Sequence, residues 1–123
     1  MDTEKITHVL IVANWRKKES HEMSETIARY LRERGISSTV FKTMTANEKI
    51  HIEEGTGLVI CLGGDGTVLY CARYLHSYGI PILAVNLGTF GFVTEISVDE
   101  WQEAIDLFLE GKHAISRRLM IRT

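Results

Sequence analysis

Leu58-Val59-Ile60-Cys61-Leu62-Gly63-Gly64-Asp65-Gly66-Thr67-Val68-Leu69 joins an apolar run, a glycine-rich turn and the start of a second apolar stretch. The run 58–62 is long enough for a strand and too short for a helix. It is apolar throughout, as a central strand covered on both faces must be. Beyond the turn, Val68, Leu69, Ala72 and Leu75 follow helical spacing, and Gly79 marks the stop. A strand, a glycine turn and a helix in this order make the unit from which parallel sheets are built.

The same alternation extends in both directions. Upstream, Val9 to Ala13 predicts a buried strand. Glu22 to Arg34 predicts an amphipathic helix carrying Met23, Ile27, Tyr30, Leu31 and Arg34, with Gly35 as its stop. Thr39-Val40-Phe41 predicts a second strand. Downstream, Ile82 to Val85 predicts a strand after Pro81, and a second glycine-rich loop runs from Leu87 to Phe92. Ser97 and Glu100 stand as a capping box for a third helix with Trp101, Ile105 and Leu109, stopped at Gly111. Ala114 to Ile121 is read as a final strand. Together these predict an α/β fold, a parallel sheet with helices on both faces. Ligands of such sheets bind outside the carboxyl ends of the strands, where both glycine loops lie.

Composition agrees with one compact domain. The chain has 123 residues, 45% apolar and 24% charged, with a net charge of 14 − 16 = −2. No basic excess points to nucleic acid or to a membrane surface. No apolar run is long enough to span a bilayer, and Met1-Asp2-Thr3-Glu4-Lys5 lacks the blocks of a signal peptide. A cytoplasmic protein is expected. Cys61 and Cys71 belong to no paired motif and read as buried thiols. The five histidines stand at no zinc spacing, so no metal site is expected.

Chemistry concentrates in the first loop. Gly63, Gly64 and Gly66 let a backbone approach a ligand without a Cβ in the way. The helix amides beyond Asp65 suit phosphate, where a carboxylate is electrostatically out of place unless it accepts a proton from an attacking hydroxyl. Asp is also a good helix cap, but the strand, Gly-Gly-Asp-Gly-Thr and helix together favour function. No Gly-x-Gly-x-x-Gly follows the first strand, and Gly111-Lys112 is followed by His113, so neither a dinucleotide fingerprint nor a P-loop is present. In the second loop, Phe90 is assigned to the core or to local packing, whereas Phe92 suits either the core or a nucleobase face. Arg16-Lys17-Lys18 is read first as a solvated loop, with a triphosphate as its other use. Arg117 and Arg118 remain open between an acidic ligand and a partner chain. Glu53-Glu54 is read as an exposed loop, and Trp15 and Trp101 as packing residues.

Leu62-Gly63-Gly64-Asp65-Gly66-Thr67-Val68-Leu69, with Val85-Asn86-Leu87-Gly88 and Gly91-Phe92, resembles the amino-terminal domain of the NAD kinases, enzymes dependent on ATP or polyphosphate. The early Ala13-Asn14 and the late Arg117-Arg118-x-Met120 extend the resemblance over nearly the whole chain. Diacylglycerol and sphingosine kinases share the Gly-Gly-Asp-Gly-Thr element, but the second loop does not show their expected Pro-x-Gly-Thr-Gly-Asn. The resemblance implies a three-layer Rossmann-like, phosphofructokinase-like sheet. It implies that Asp65 activates the ribose 2′-hydroxyl of NAD and that Asp65 and Gly66 contact the dinucleotide. Gly63, Gly64 and Thr67 would shape the phosphate turn, and Phe92 would lie against the adenine. NADP would form from NAD and ATP or polyphosphate, with Mg²⁺ or another divalent cation accompanying ATP, and the chain would homo-oligomerise. Residues 1–123 would be the amino-terminal domain and 114–123 the start of the connection to a second, largely β domain that the chain lacks. Alone it would be inactive or weakly active. The alternatives are a lipid or sugar kinase sharing the glycine loop, and a non-catalytic nucleotide-binding module.

Overall fold

The computed structural model describes residues 6–43, 50–87, 96–97, 100–110 and 120–121. The described elements are β1 (His8–Asn14), α1 (Lys18–Arg32), β2 (Ser37–Thr43), β3 (Thr56–Gly63), α2 (Asp65–Leu75), β4 (Ile82–Asn86), β5 (Ile96–Ser97), α3 (Trp101–Leu109) and β6 (Met120–Ile121). A 3₁₀ turn, His76–Tyr78, follows α2. The strands pair in the order β2-β1-β3-β4-β5, and β6 also pairs with β4. All pairs along that path are parallel. β6 is antiparallel, setting Ile82 opposite Ile121 and Leu83 opposite Met120.

The central strands are covered on both sides, as their unbroken apolar runs require. On one side Val9, Ile11 and Ala13 of β1 and Leu58, Ile60 and Leu62 of β3 pack with Ile27 and Leu31 of α1 and with Trp101, Ala104 and Ile105 of α3. On the other side Leu10, Val12, Val59 and Cys61 pack with Val68, Cys71 and Leu75 of α2. The result is the expected three-layer Rossmann-like α/β arrangement. Cys61 and Cys71 are both buried free thiols. Burial, and then the neighbouring Cys71 thiol, push the Cys61 thiol well above its ordinary range, so it stays protonated and unreactive.

Three boundaries differ from the sequence expectation for identifiable reasons. α1 begins at Lys18 rather than Glu22, because the inward face of its first turns is made of Ser20 and Ser24. Small polar residues extend a buried stripe without contributing to apolar periodicity. Ser97 is not the capping position of α3: it lies in β5, and α3 starts after Glu100, whose side chain makes no capping hydrogen bond. A strand of two residues carries too little pattern to be seen beforehand. Of the strand expected over 114–121, Met120–Ile121 is found; residues 114–119 and Gly111 lie outside the described residues.

The stop of α1 follows the expected chemistry. Gly35 has φ +79°, a left-handed conformation that glycine adopts without steric cost. The amides of Gly35 and Ile36 then bond back to the carbonyls of Arg32 and Leu31, each at 3.0 Å. Just before this stop, α1 is tied to α3. Tyr30 Oη donates to Asp106 Oδ1 at 2.6 Å. Arg34 lies over the Tyr30 ring at 3.5 Å and reaches Asp106 through Nε, also at 3.5 Å. Trp101 meets the Tyr30 ring edge-on at 5.0 Å.

Burial, then the bond to Asp106, raise the Tyr30 hydroxyl from 10.0 to about 12, with Arg34 opposing. The unfolded chain gives up this proton near pH 10.0, whereas the folded chain holds it to about pH 12. Stability is therefore expected to fall as pH rises through that window, and Tyr30→Phe to flatten the fall. The same variant should lose about 1 kcal/mol at neutral pH through the missing hydrogen bond. Urea denaturation at pH 7 and between pH 10 and 12 measures both effects.

Candidate functional site

Because β1 lies between β2 and β3, chain connections leave the carboxyl edge in opposite directions on either side of the β1–β3 pair. A crevice opens at such a reversal of strand order, and it is where α/β sheets bind ligands. Two turns meet there: β1 to α1 through Asn14-Trp15-Arg16-Lys17, and β3 to α2 through Gly63 and Gly64.

The glycine turn divides into two kinds of position. A Cβ on Gly63 would collide with the Thr67 hydroxyl, lie 3.0 Å from Thr67 Cβ and lie 3.2 Å from Asn14 Cβ. Gly63 is thus required by the protein's own packing, and Thr67, 8% exposed, fills the space a side chain would take. At Gly64 and Gly66 an added Cβ would meet no described residue within 4 Å. Neither has a positive φ. Packing therefore explains the first glycine and leaves the other two facing open space.

Asp65 is the first residue of α2, not the residue before it. The carbonyl of Gly64 accepts from the amides of Thr67 at 3.1 Å and Val68 at 3.2 Å, so Gly64 occupies the capping position. The Leu87 amide bonds to the Gly63 carbonyl at 3.1 Å, tying the start of the second loop to the first.

The facing turn is held by local bonds. Asn14 Oδ1 accepts from the Arg16 amide at 3.2 Å, and the Asn14 carbonyl accepts from the Lys17 amide at 3.0 Å. The Trp15 amide bonds to the Thr43 carbonyl at 3.1 Å. His21 stacks on the Trp15 ring at 3.8 Å while its Nε2–H donates to the Trp15 carbonyl at 3.0 Å. Lys42 Nζ stands 4.8 Å over the same ring. Trp15 is therefore a packing residue, as expected, and so is the buried Trp101.

The structure brings Gly63, Gly64, Asp65, Gly66 and Thr67 to one edge with Asn14 and the Arg16-Lys17-Lys18 run. Gly88, Phe90, Gly91, Phe92, Arg117 and Arg118 lie outside the described residues. Glu53 and Glu54 are exposed, far along the chain from this edge's turns. Two of the cavities adjoin α1. One of about 400 Å³ adjoins Arg32, Gly35 and Ser38 at the opposite sheet edge. The other, of about 240 Å³, lies between α1 and α3, beside Met23, Leu87 and Trp101. Among the described residues no group of three His, Cys, Asp or Glu side chains is placed to hold a metal ion. No described helix is long and apolar enough to cross a membrane. The role of Asn14 was not legible beforehand, because its partner Gly63 is brought to it only by strand order.

A family model described as the ATP-NAD kinase N-terminal domain matches residues 9–113. The NAD kinase of Treponema denticola is 37% identical over 113 residues, covering 92% of this chain and 40% of that protein. The NAD kinase of Methanosphaera stadtmanae is 35% identical over 118 residues, covering 90% of this chain and 43% of the relative. That of Syntrophobacter fumaroxidans is 30% identical over 121 residues, covering 94% and 43%. The chain thus spans about two fifths of the length of these relatives.

The two kinds of glycine should separate on substitution. Gly63→Ala is expected to lose about 1–3 kcal/mol of stability by overpacking against Thr67 and Asn14. Gly66→Ala, inside α2 with open space around it, should be neutral or gain up to about 1 kcal/mol from helix propensity. Chemical denaturation of both variants measures the contrast. Equal losses would show that Gly66 too is held by packing.

Proposed function

Since the chain belongs to the NAD kinase family, we propose that it carries the catalytic turn of an enzyme converting NAD to NADP with ATP or polyphosphate. In this reading residues 1–123 form the amino-terminal α/β domain, and 114–123 lead toward a second, largely β domain. The greater length of the relatives supports that division. Family membership also weighs against a lipid or sugar kinase and against a non-catalytic module. The enzyme would work in the cytoplasm.

Asp65 accepts the proton of the 2′-hydroxyl on the adenosine ribose of NAD. The freed oxygen attacks the terminal phosphorus of the donor, and the bond from that phosphorus to the donor's bridging oxygen breaks. ADP, or a shortened polyphosphate, leaves. Asp65 and Gly66 contact the dinucleotide, Gly63, Gly64 and Thr67 shape the phosphate turn, and Phe92 lies against the adenine. A divalent cation, Mg²⁺ or another, arrives with ATP as part of the substrate and shields its phosphate oxygens. Phosphoryl transfer depends mainly on positioning and electrostatics, so one carboxylate suffices as the reacting side chain.

The observation that carries this reading is the open space at Gly64 and Gly66 beside Asp65, on a turn whose remaining glycine is explained by packing. A ligand backbone can approach there because no Cβ intervenes.

The 123-residue chain is expected to show NAD-induced amide shifts at Gly63–Thr67, yet to form NADP only at a trace rate. Joined to the second domain of a full-length relative, it should become active. Asp65→Asn in that fusion should lower the rate by about 10²–10⁴-fold while NAD still binds. Ordinary turnover by the short chain would overturn the need for a second domain. Full activity of the Asn variant would overturn the role of Asp65.

A further inference from the structure

At the other end of the strands, His8 is buried with both ring nitrogens hydrogen-bonded to hydroxyls of β2. Nδ1 lies 2.7 Å from Ser37 Oγ, and Nε2 lies 2.8 Å from Thr39 Oγ1. The parallel register sets His8 opposite Ser37, and Thr39 follows two residues on along the same face of β2. Each hydroxyl has one proton to give. Ser37 Oγ donates its proton to the Thr7 carbonyl at 3.1 Å, and Thr39 Oγ1 donates to Glu53 Oε2 at 3.4 Å. Both hydroxyl oxygens therefore stand as acceptors toward His8, and both ring nitrogens carry hydrogen. That is the imidazolium form. Its burial is tolerated because both N–H groups are bonded and one hydroxyl links the ring to the Glu53 carboxylate.

A neutral ring cannot keep all four bonds. With one N–H left, one hydroxyl must turn to donate to the bare nitrogen, and it then abandons its other acceptor. The Thr39–Glu53 bond is the one that yields. At 3.4 Å it is the longest of the four, it is exposed, and its attraction to the ring charge goes with the proton. The turn into β3 hangs on this bond. The Glu53 carbonyl accepts from the Thr56 amide at 3.2 Å and from the Thr56 hydroxyl at 2.6 Å. Support from β1 is weak there: His8 pairs with Thr56 but Val9 pairs with Leu58, so Gly57 forms a bulge that interrupts the ladder. Other titratable and charged groups on the surrounding elements are Lys42 on β2, His51 and Glu54 beside Glu53, and Arg73 in the last turn of α2. Glu53 is the one that the bonds above join to His8.

We infer that His8 is a proton-operated latch at the amino edge of the sheet. As the imidazolium it holds Glu53, through Thr39, against β2. When it loses its proton, Thr39 turns to Nε2 and the turn 53–56 is released. The latch lies at the opposite end of the strands from the glycine turn, and it stands independently of the proposed reaction.

Histidines change charge between about pH 5 and about pH 8, so nitrogen NMR of the 123-residue chain across that span reads the latch. Both His8 ring nitrogens are expected to carry hydrogen at the acidic end, and Nδ1 alone at the alkaline end. In the same step the protection of the Thr56 amide against hydrogen exchange, corrected for the intrinsic effect of pH, should fall about threefold or more. Amides in the middle of α1 should keep theirs. Thr39→Val preserves the branched strand residue but removes the relay, and Glu53→Ala removes the held carboxylate at an exposed position. In both variants the Thr56 amide should show the low protection at either pH. A ring that keeps one form throughout, or Thr56 protection that stays constant while the ring changes, would overturn the latch. Protection that still follows the ring in Glu53→Ala would do the same.

Discussion

The close approach of Gly63 to Asn14 and Thr67 is the constraint on which the candidate site depends. β1 and β3 pair in parallel, with Ala13 opposite Leu62, so their ends emerge side by side. A Cβ at residue 63 would collide with the Thr67 hydroxyl and press on Asn14 Cβ at 3.2 Å. With glycine there, the two turns abut, and the first turns of α1 and α2 open onto one crevice. Two helix amino ends directed at the same space create a positive field that no single βα unit provides.

That crevice is stable because the sheet beneath it is buried on both faces. The strands that end at the crevice are apolar along their length, and the helices above and below them leave no central strand facing water. α1 is held from three sides: by its inward stripe, by the Schellman-type bonds after Gly35, and by the clamp from Tyr30 and Arg34 to Asp106. Isolated, the partly exposed Arg34–Asp106 pair would contribute little. Combined with the Tyr30 bond and the Trp101 edge contact, it fixes where α1 lies over the sheet, and therefore where its amino end points. The rigidity of the α1–α3 layer is in this way linked to the geometry of the turn far along the same helix.

The glycine turn illustrates how a motif divides between fold and function. Gly63 is answered by packing, while among the described residues nothing answers Gly64 and Gly66. Ser20 is the complementary case, a polar group that packing buries and that has no hydrogen-bond partner among the described residues. Open space without a side chain and a buried donor without an acceptor are both unfavourable or neutral for folding, and they stand at the same edge of the sheet. Local departures from folding economy gather at sites that bind something.

Most elements were legible from the chain because each is encoded by local pattern. Continuous apolar runs marked β1, β3 and β4, helical spacing marked α2 and α3, and Gly35 marked the end of α1. The Gly-Gly-Asp-Gly-Thr turn was legible for the same reason, since residue type alone states where a backbone is left bare. The start of α1 was missed because serines, not apolar residues, face inward there, and β5 was missed because two residues carry no period. Strand order, the contact of Asn14 with Gly63, the tie from Tyr30 to Asp106 and the unpaired Ser20 hydroxyl belong to the tertiary structure. Periodicity specifies which face of an element is buried, but the identity of its neighbour depends on pairing between residues distant in the chain.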